Sequence, residues 1–337
     1  MPTSTSIRLA RRPQGPTDEQ TWQVASEETP ALDPGQFLVR VRQISLDPAM
    51  RGWLDDRPSY LPPVAVGDVM RAAGVGVVEE SSHPRFPVGT AVLGTFGVQE
   101  YAVSSGHGVE RIDEALGTPA MHLGVLGITG LTAYYGLLGH GRPRAGDTVL
   151  VSAAAGAVGS IVGQLARISG CRVVGIAGGP EKCSYLTETL GFDAAVDYRS
   201  ESVRKAISGA CPDGVDVYFD NVGGSILDAA LANLALGARV VICGAISQYN
   251  ATERAVGPAN YMSLLVRRAT MEGFLYFDNA PDFPIARRRL AHWVASGQMT
   301  APETIVHGTI ADFPEVLLRL FSGNNVGKLI LDITEPT

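Results

Sequence analysis

Cysteine is scarce in this chain and poorly placed for chemistry. Only four occur among 337 residues, Cys171, Cys183, Cys211 and Cys243, all in the second half and none in a CxxC pair. That pattern argues against a disulfide framework or a structural zinc site and suits a reducing compartment. Basic residues are outnumbered, 27 Lys and Arg against 34 Asp and Glu, for a formal net charge of -7. Without a basic stripe or patch, no nucleic-acid partner is expected. No run approaches the ~18–20 apolar residues that a membrane span needs. The opening MPTSTSIRLARRPQG also lacks the apolar core of a secretory signal. A cytoplasmic protein that works away from membranes is the expectation. The six histidines, His83, His107, His122, His140, His292 and His307, are scattered without ligand spacing, so each reads as a surface or core histidine.

What the chain has is core. Hydrophobic residues make up 45% and charged residues 18%, ordinary for a globular protein, and the length predicts two domains. The organising stretch is Asp147 to Lys182, DTVLVSAAAGAVGSIVGQLARISGCRVVGIAGGPEK. Asp147–Ala153 is an apolar run that predicts a buried strand. A glycine turn follows, and then Val158, Ile161, Val162, Leu165 and Ile168 recur at helical spacing up to Gly170. Arg172–Ala177 predicts a second strand, giving a β-turn-α-β unit of the length a parallel crossover needs.

The flanks read differently. Residues 1–110 predict short strands and irregular turns: Ile7–Leu9, Phe37–Ile44, a glycine-rich stretch from Val64 to Glu79, Val88–Leu93 and Gln99–Val103. Such glycine-rich β predicts a tightly curved small barrel. Ala120–Gly139 predicts one or two buried helices. After the organising unit, helices (181–190, 201–210, 225–235) alternate with strands (194–198, 215–220, 238–244, 271–277), the pattern of a doubly wound parallel sheet. A helix over 285–296 closes that domain. The tail, with strands at 304–310 and 328–333 around a helix at 313–321, returns to the first domain. The expected organisation is 1–120 with 297–337 as one domain and 121–296 as a dinucleotide-binding domain.

The turn itself is Ala154-Ala155-Gly156-Ala157-Val158-Gly159. Against G-x-G-x-x-G the first glycine has become Ala154. Gly156 falls where backbone approaches a pyrophosphate, and Gly159 where helix packs on strand. A glycine-rich connection needed only for packing would look similar, but the strand before and the helix and strand after are the context a dinucleotide site requires. An NAD site usually places Asp or Glu at the end of the second strand to bind the ribose hydroxyls. Here that place reads Gly178-Gly179-Pro180, followed by Lys182. A missing acid and an ammonium beside a helix start favour NADP over NAD, although a solvated surface lysine is the commoner fate of any single lysine.

These residues resemble a known family, the zinc-independent medium-chain dehydrogenase/reductases, and within it the prostaglandin reductase (leukotriene hydroxydehydrogenase) and alkenal double-bond reductase branch. The likeness is carried by residues 151–199 and by LDPAMRGW at 46–53, SYLPPVAVGDVMRAAGVG at 59–76, GLTAYYGL at 130–137, FDNVGG at 219–224, CGAISQYN at 243–250, MEGFL at 271–275 and NNVGK at 324–328. The resemblance implies an α/β protein with a GroES-like β-barrel domain and a Rossmann domain, an NADP(H) cofactor and a homodimer. It also implies reduction of activated C=C bonds in enals and enones. It places Gly156 and Gly159 on the pyrophosphate, with Val158 in the same cofactor-binding turn. Lys182 would meet the 2′-phosphate, Tyr198 would contact that end, and Thr132, Asn221, Cys243, Phe274 and Asn325 would line the rest of the cofactor channel. Tyr60 and Tyr249 lie in motifs whose tyrosines face substrate. A further tyrosine of some plant relatives corresponds here to Val266, with Tyr261 upstream, which leaves open which tyrosine serves the enolate.

Zinc-dependent members of that superfamily carry an early cysteine and a later His-Glu pair. Here the matching stretches are Ile44-Ser45-Leu46-Asp47 and GDVMRAAGVG, with neither thiolate nor imidazole, so no metal site is expected. The expected chemistry is hydride delivery from NADPH to the β-carbon of an enal or enone. Tyr249, Tyr60 or the nicotinamide ribose hydroxyl would stabilise the enolate oxygen, and either tyrosine can equally be an ordinary packed aromatic. A quinone reductase on the same fold and a non-catalytic NADPH-binding protein are the competing readings.

Overall fold

The computed structural model describes residues 2–200, 202–253 and 255–334. The chain begins with strands β1 (Thr3–Leu9), β2 (Trp22–Glu28) and β3 (Phe37–Leu46), then a single helical turn α1 (Ala49–Gly52). Strands β4 (Gly74–Ser81), β5 (Ala91–Gly94), β6 (Tyr101–Ser104) and β7 (Glu110–Arg111) follow, and then helix α2 (Pro119–Leu123). Helix α3 (Ile128–Tyr134) leads to β8 (Thr148–Val151), α4 (Ala157–Ile168), β9 (Arg172–Ala177), α5 (Pro180–Ser184) and β10 (Ala194–Asp197). Next come α6 (Val203–Ala210), β11 (Val215–Asp220), α7 (Gly224–Leu231), β12 (Leu234–Ile242), α8 (Ser263–Arg267), β13 (Thr270–Gly273) and α9 (Phe283–Ala295). The chain closes with β14 (Glu303–His307), α10 (Phe313–Ser322) and β15 (Lys328–Asp332). It divides into two compact units, Met1–Leu123 with Glu303–Thr337, and Gly124–Pro302.

In the first unit a seven-stranded sheet runs β14-β15-β3-β4-β5-β7, with β6 also on β3, and β1 and β2 form a separate hairpin-like pair. The late strand β15 pairs antiparallel with β3, Leu329 opposite Leu46 and Leu331 opposite Ile44. Ile7, Leu9, Phe37, Ile44, Leu46, Phe86, Phe313 and Leu331 form the buried core. The glycine-rich β of the sequence is confined to 74–81, because Gly67 at φ +92° breaks the stretch before it. Gly76 is there for close approach, since a Cβ would stand 2.4 Å from the Arg40 carbonyl oxygen on β3.

The second unit is a six-stranded sheet of order β10-β9-β8-β11-β12-β13, with every neighbouring pair parallel. Its central strands β8, β9 and β11 are buried, which is why they read as apolar runs. Leu150, Val174, Ile176, Val215, Tyr218, Leu231 and Val240 pack in its core. Gly163 lets α4 lie against the following segment, since a Cβ would fall 1.9 Å from Phe192 Cζ. Three boundaries differ from expectation. Helix α7 ends at Leu231 and β12 begins at Leu234, because the Asn233 side chain donates back to the Ala229 carbonyl at 2.8 Å and closes the helix early. The strand expected over 271–277 ends at Gly273, and 3₁₀ turns run from Tyr276 to Asp282. The helix expected from Glu201 begins at Val203; Glu201 itself lies outside the described residues.

Candidate cofactor and active site

Strand order reverses between β8 and β11, so the crevice beyond their carboxyl ends is where an open α/β sheet binds its ligand. The turn after β8 enters the left-handed region at Ala153, φ +48°. Gly156 then opens α4 in an extended conformation, leaving the first backbone N–H groups of α4 pointing outward. Gly159 cannot carry a side chain without displacing backbone, because its Cβ would lie 2.4 Å from the Ala153 carbonyl oxygen and 2.9 Å from Ala154 Cα. Val158, half-buried, stands between these two glycines in the first turn of α4.

A hydrogen-bond network ties the two strands together across the switch point. Asp220, fully buried at the end of β11, accepts at Oδ1 from the Tyr218 hydroxyl at 2.7 Å and from Ser152 Oγ at 3.1 Å. The same oxygen accepts from the Val222 and Gly223 N–H groups at 3.0 and 2.9 Å. Ser152 Oγ accepts the Asn221 N–H at 2.9 Å, and the Ser152 carbonyl accepts Asn221 Nδ2 at 2.8 Å. Asn221 is thereby fixed on both its backbone and its side chain. The Asp220 carbonyl accepts from the Cys243 and Gly244 N–H groups at 2.9 and 3.1 Å, which brings in the end of β12. Burial and the nearby Asp220 push the Cys243 thiol up to about 12, so it is a neutral wall rather than a nucleophile. Tyr249 follows on the same loop, and its hydroxyl accepts the Ala245 N–H at 3.3 Å. A Cβ at Gly244 would stand 3.0 Å from that hydroxyl, so the glycine leaves it room.

At the ends of β9 and β10 lies a cationic corner. Lys182 is half-buried on α5, and desolvation, with a smaller contribution from Arg199, holds its ammonium below the ordinary lysine range. The Arg199 guanidinium lies over the Tyr198 ring, 5.8 Å from its centroid. Asp197 accepts from the Gly179 and Arg199 N–H groups at 2.8 and 2.9 Å, and these bonds pull its carboxyl below the usual range. Sequence reasoning named Lys182 and Tyr198 and missed Arg199. The signal was present in the adjacent DYR, but only the return of β10 beside β9 brings that arginine to the glycine pair.

The remaining named residues are placed as follows. Thr132 is half-buried on α3, and the Phe274 ring is packed against His140, Phe219 and the bare backbone of Gly136. Val266 and Tyr261 are exposed on and beside α8. Tyr60 and Asn325 belong to the first unit. Trp53 Nε1 donates to the Tyr60 hydroxyl at 3.3 Å, and Asn325 Nδ2 donates to the Gly327 carbonyl at 3.2 Å.

A parallel sheet with a glycine turn at its switch point, a cationic corner where a ribose-binding acid would stand, and a second sheet unit built from both ends of the chain together define a two-domain NADP-dependent oxidoreductase. The chain belongs to the medium-chain dehydrogenase/reductase family, in the zinc-independent branch of the prostaglandin and alkenal double-bond reductases. A family model described as the N-terminal domain of oxidoreductase matches residues 5–112, and one described as zinc-binding dehydrogenase matches 157–292. The NADPH-dependent curcumin reductase of Escherichia coli is 39% identical over 96% of this chain and 95% of its own. The NADP(+)-dependent 2-alkenal reductase of Nicotiana tabacum is 38% identical over 88% of this chain and 87% of its own. The crystal structure of CurA from Vibrio vulnificus in complex with NADPH matches with a TM-score of 0.93 at 39% identity, covering 98% of this chain and all of that one, 100%.

The cofactor is NADPH, and the residues fit it: the first turn of α4, which starts at Ala157 after Gly156, presents backbone N–H groups, and Lys182 and Arg199 bring two cations to one corner. Zinc does not fit. Among the described residues no three His, Cys, Asp or Glu gather in an arrangement that could hold a metal ion. Among the described residues no helix is long and apolar enough to cross a membrane.

Proposed function

We propose that this chain reduces the C=C bond of α,β-unsaturated aldehydes and ketones. Bound NADPH supplies the hydride, which goes to the β-carbon. The observation that carries the reading is the Tyr249 hydroxyl, held at the carboxyl ends of β11 and β12 by the Ala245 N–H at 3.3 Å. A phenol oxygen that accepts an N–H bond becomes a better O–H donor, and a carbonyl turning into an enolate gains most from a donor already aimed at it. Tyr60 receives the Trp53 indole N–H in the same manner and is the second candidate donor. Either tyrosine, or water, then returns a proton to the α-carbon.

The cofactor-side roles belong to the same proposal. The α4 N-terminus at Gly156, Val158 and Gly159 takes the pyrophosphate. Lys182 and Arg199 take the 2′-phosphate beside Tyr198. On the second unit Thr132, Asn221 and Cys243 line the cofactor channel, with Phe274 supporting it through the packing of its ring. The likeness to an NADP(+)-dependent 2-alkenal reductase supports the same substrate class. Steady-state NADPH oxidation with an enal, an enone and a quinone tests the reading. Turnover of the first two with loss of the double bond is expected. Turnover of the quinone alone would replace the reading with quinone reduction, and no turnover at all despite tight NADPH binding would sink it.

We also propose a homodimer formed along β13. This strand is the edge of the parallel sheet, its four residues Thr270–Gly273 are all exposed, and nearby Leu265 and Val266 are 69% and 66% exposed. An open sheet edge with exposed apolar side chains beside it invites a partner strand. Sedimentation at micromolar concentration should give twice the chain mass, and a monomer there would refute the pairing.

A further inference from the structure

Helix α9 carries three consecutive arginines, and the fold of the second unit uses two of them. Arg287 Nε donates to the Leu126 carbonyl at 3.0 Å, and its guanidinium carbon lies 5.8 Å from the Phe283 ring centroid. Arg289 Nη1 donates to the Tyr134 hydroxyl at 2.7 Å. Arg288 is exposed and has no hydrogen-bond or ion-pair partner among the described residues. It shares one face of α9 with Ile285, Arg289, His292 and Trp293, a single stripe at helical spacing, while Ala286, Leu290 and Ala291 are buried. The stripe lines a groove of about 470 Å³ that is open to solvent, and no carboxylate lines it among the described residues. Ile285, 47% exposed, stands at one end. Trp293 is half-buried at the other, its ring centroid 6.4 Å from that of Tyr134. The two ends lie ~12 Å apart along the helix axis.

We propose that this stripe of α9 is a second binding site, for a small aromatic carboxylate, made of residues that the cofactor and tyrosine roles do not use. It stands independently of the enone reading. The whole chain is acidic, with a formal net charge of -7, so two guanidiniums and an imidazole gathered without an acid reverse the sign locally and attract an anion. The free Arg288 offers a planar fork of donors that matches a carboxylate in a bidentate way. Arg289, tethered through one nitrogen, keeps a second guanidinium on the same stripe. Ile285 and Trp293 flank these cations with apolar surface, which a bare anion leaves wet and an aryl ring covers. The volume falls within the ~300–1,000 Å³ of small-molecule sites. A stable protein partner would instead need ~20–30 residues a side.

The test is calorimetric titration of the full chain saturated with NADP(+), which fills the cofactor crevice. The probes are 2-naphthoate, its neutral amide 2-naphthamide, inorganic phosphate and hexaglutamate. Naphthoate should bind with a Kd of about 1 mM or tighter, and naphthamide about 5-fold or more weakly than that. Arg288→Gln should weaken naphthoate by about 5-fold and leave naphthamide unchanged, and Arg288→Lys, which keeps charge but not the fork, should lie between. Arg288 is exposed and unpartnered, so these variants keep the fold. No saturation by ~10 mM naphthoate, or equal binding of acid and amide, overturns the inference. Equal affinity for phosphate or hexaglutamate overturns it in favour of a bare patch of charge. Unchanged naphthoate binding in Arg288→Gln overturns it by placing the ligand elsewhere. Each of these outcomes leaves enone reduction standing.

Discussion

Asp197 accepts the Gly179 N–H at 2.8 Å, so the carboxylate at the end of β10 builds the turn after β9 instead of reaching for a ribose. Gly179 sits there at φ +90°, a conformation that costs a side-chain-bearing residue, and the bond from Asp197 holds it. The consequence is a corner in which the acid faces backbone, beside the two cations Lys182 and Arg199. The proposed cofactor preference rests on that arrangement.

Lys182→Ala and Arg199→Ala should each weaken NADPH binding by about 10- to 100-fold, the range of one charge-assisted hydrogen bond to phosphate. NADH binding should change little, because that ligand has no 2′-phosphate. Fluorescence titration of both cofactors against both variants checks this, and an equal effect on NADH would remove these residues from the phosphate site.

The depressed Lys182 pKa gives a pH dependence with a definite sign. Burial first, and Arg199 second, hold the ammonium below its ordinary ~10.4. A phosphate dianion favours the charged form, so NADPH binding takes up a proton in the alkaline range. NADPH affinity should therefore fall as pH rises through the lowered pKa of the free enzyme, and NADH affinity should not. Without cofactor the sign reverses. The unfolded chain holds this proton longer than the folded one, so the group's contribution to stability rises with pH across the same window. Calorimetric titration in buffers of different ionisation enthalpy measures the proton uptake directly.

Tyr249→Phe should lower kcat by about 100-fold, as removal of one oxyanion donor does, with the NADPH dissociation constant unchanged. Tyr60→Phe is the matched control from the first unit. Whichever variant loses kcat without weakening cofactor or substrate binding identifies the donor. If both retain full kcat with an enal, neither phenol stabilises the enolate.

Tyr218→Phe removes one of the four donors on the buried Asp220 oxygen and should cost about 1–3 kcal/mol of stability, read by denaturant unfolding. Ser152→Ala removes a donor to Asp220 together with the acceptor for the Asn221 N–H. It should raise the NADPH dissociation constant more than Tyr218→Phe does, since only Ser152 touches Asn221 directly. Equal cofactor affinity in the two variants would show that the network is structural alone.

The second unit was legible where the chain is periodic. Strand Arg172–Ala177 and strand Val215–Asp220 stand where the apolar runs placed them, because a parallel strand covered on both faces has to be apolar throughout. The end of α7 was not legible: LDAALANLALGARV carries one texture through helix and strand, and the boundary is set by the Asn233 side chain folding back on the helix. The small first unit was hardest, since Gly67 breaks what reads as continuous glycine-rich β. In the candidate site, residues within motifs could be named from the chain, whereas Arg199 could not. It comes to the glycine pair only through the return of strand β10 beside β9.

The pairing of β15 with β3, Leu329 against Leu46, has a bearing on how the chain is made. During synthesis β3 emerges early, with one edge awaiting a strand encoded after the whole of the second unit. Everything from Gly124 to Pro302 must be translated first, roughly 10–35 s at ~5–20 residues per second. For that interval the nascent N-terminal sheet is incomplete and exposes a hydrogen-bonding edge, while the inserted unit, contiguous in sequence, can fold to completion. The second unit should therefore mature first, and the first unit should be the substrate on which chaperones act.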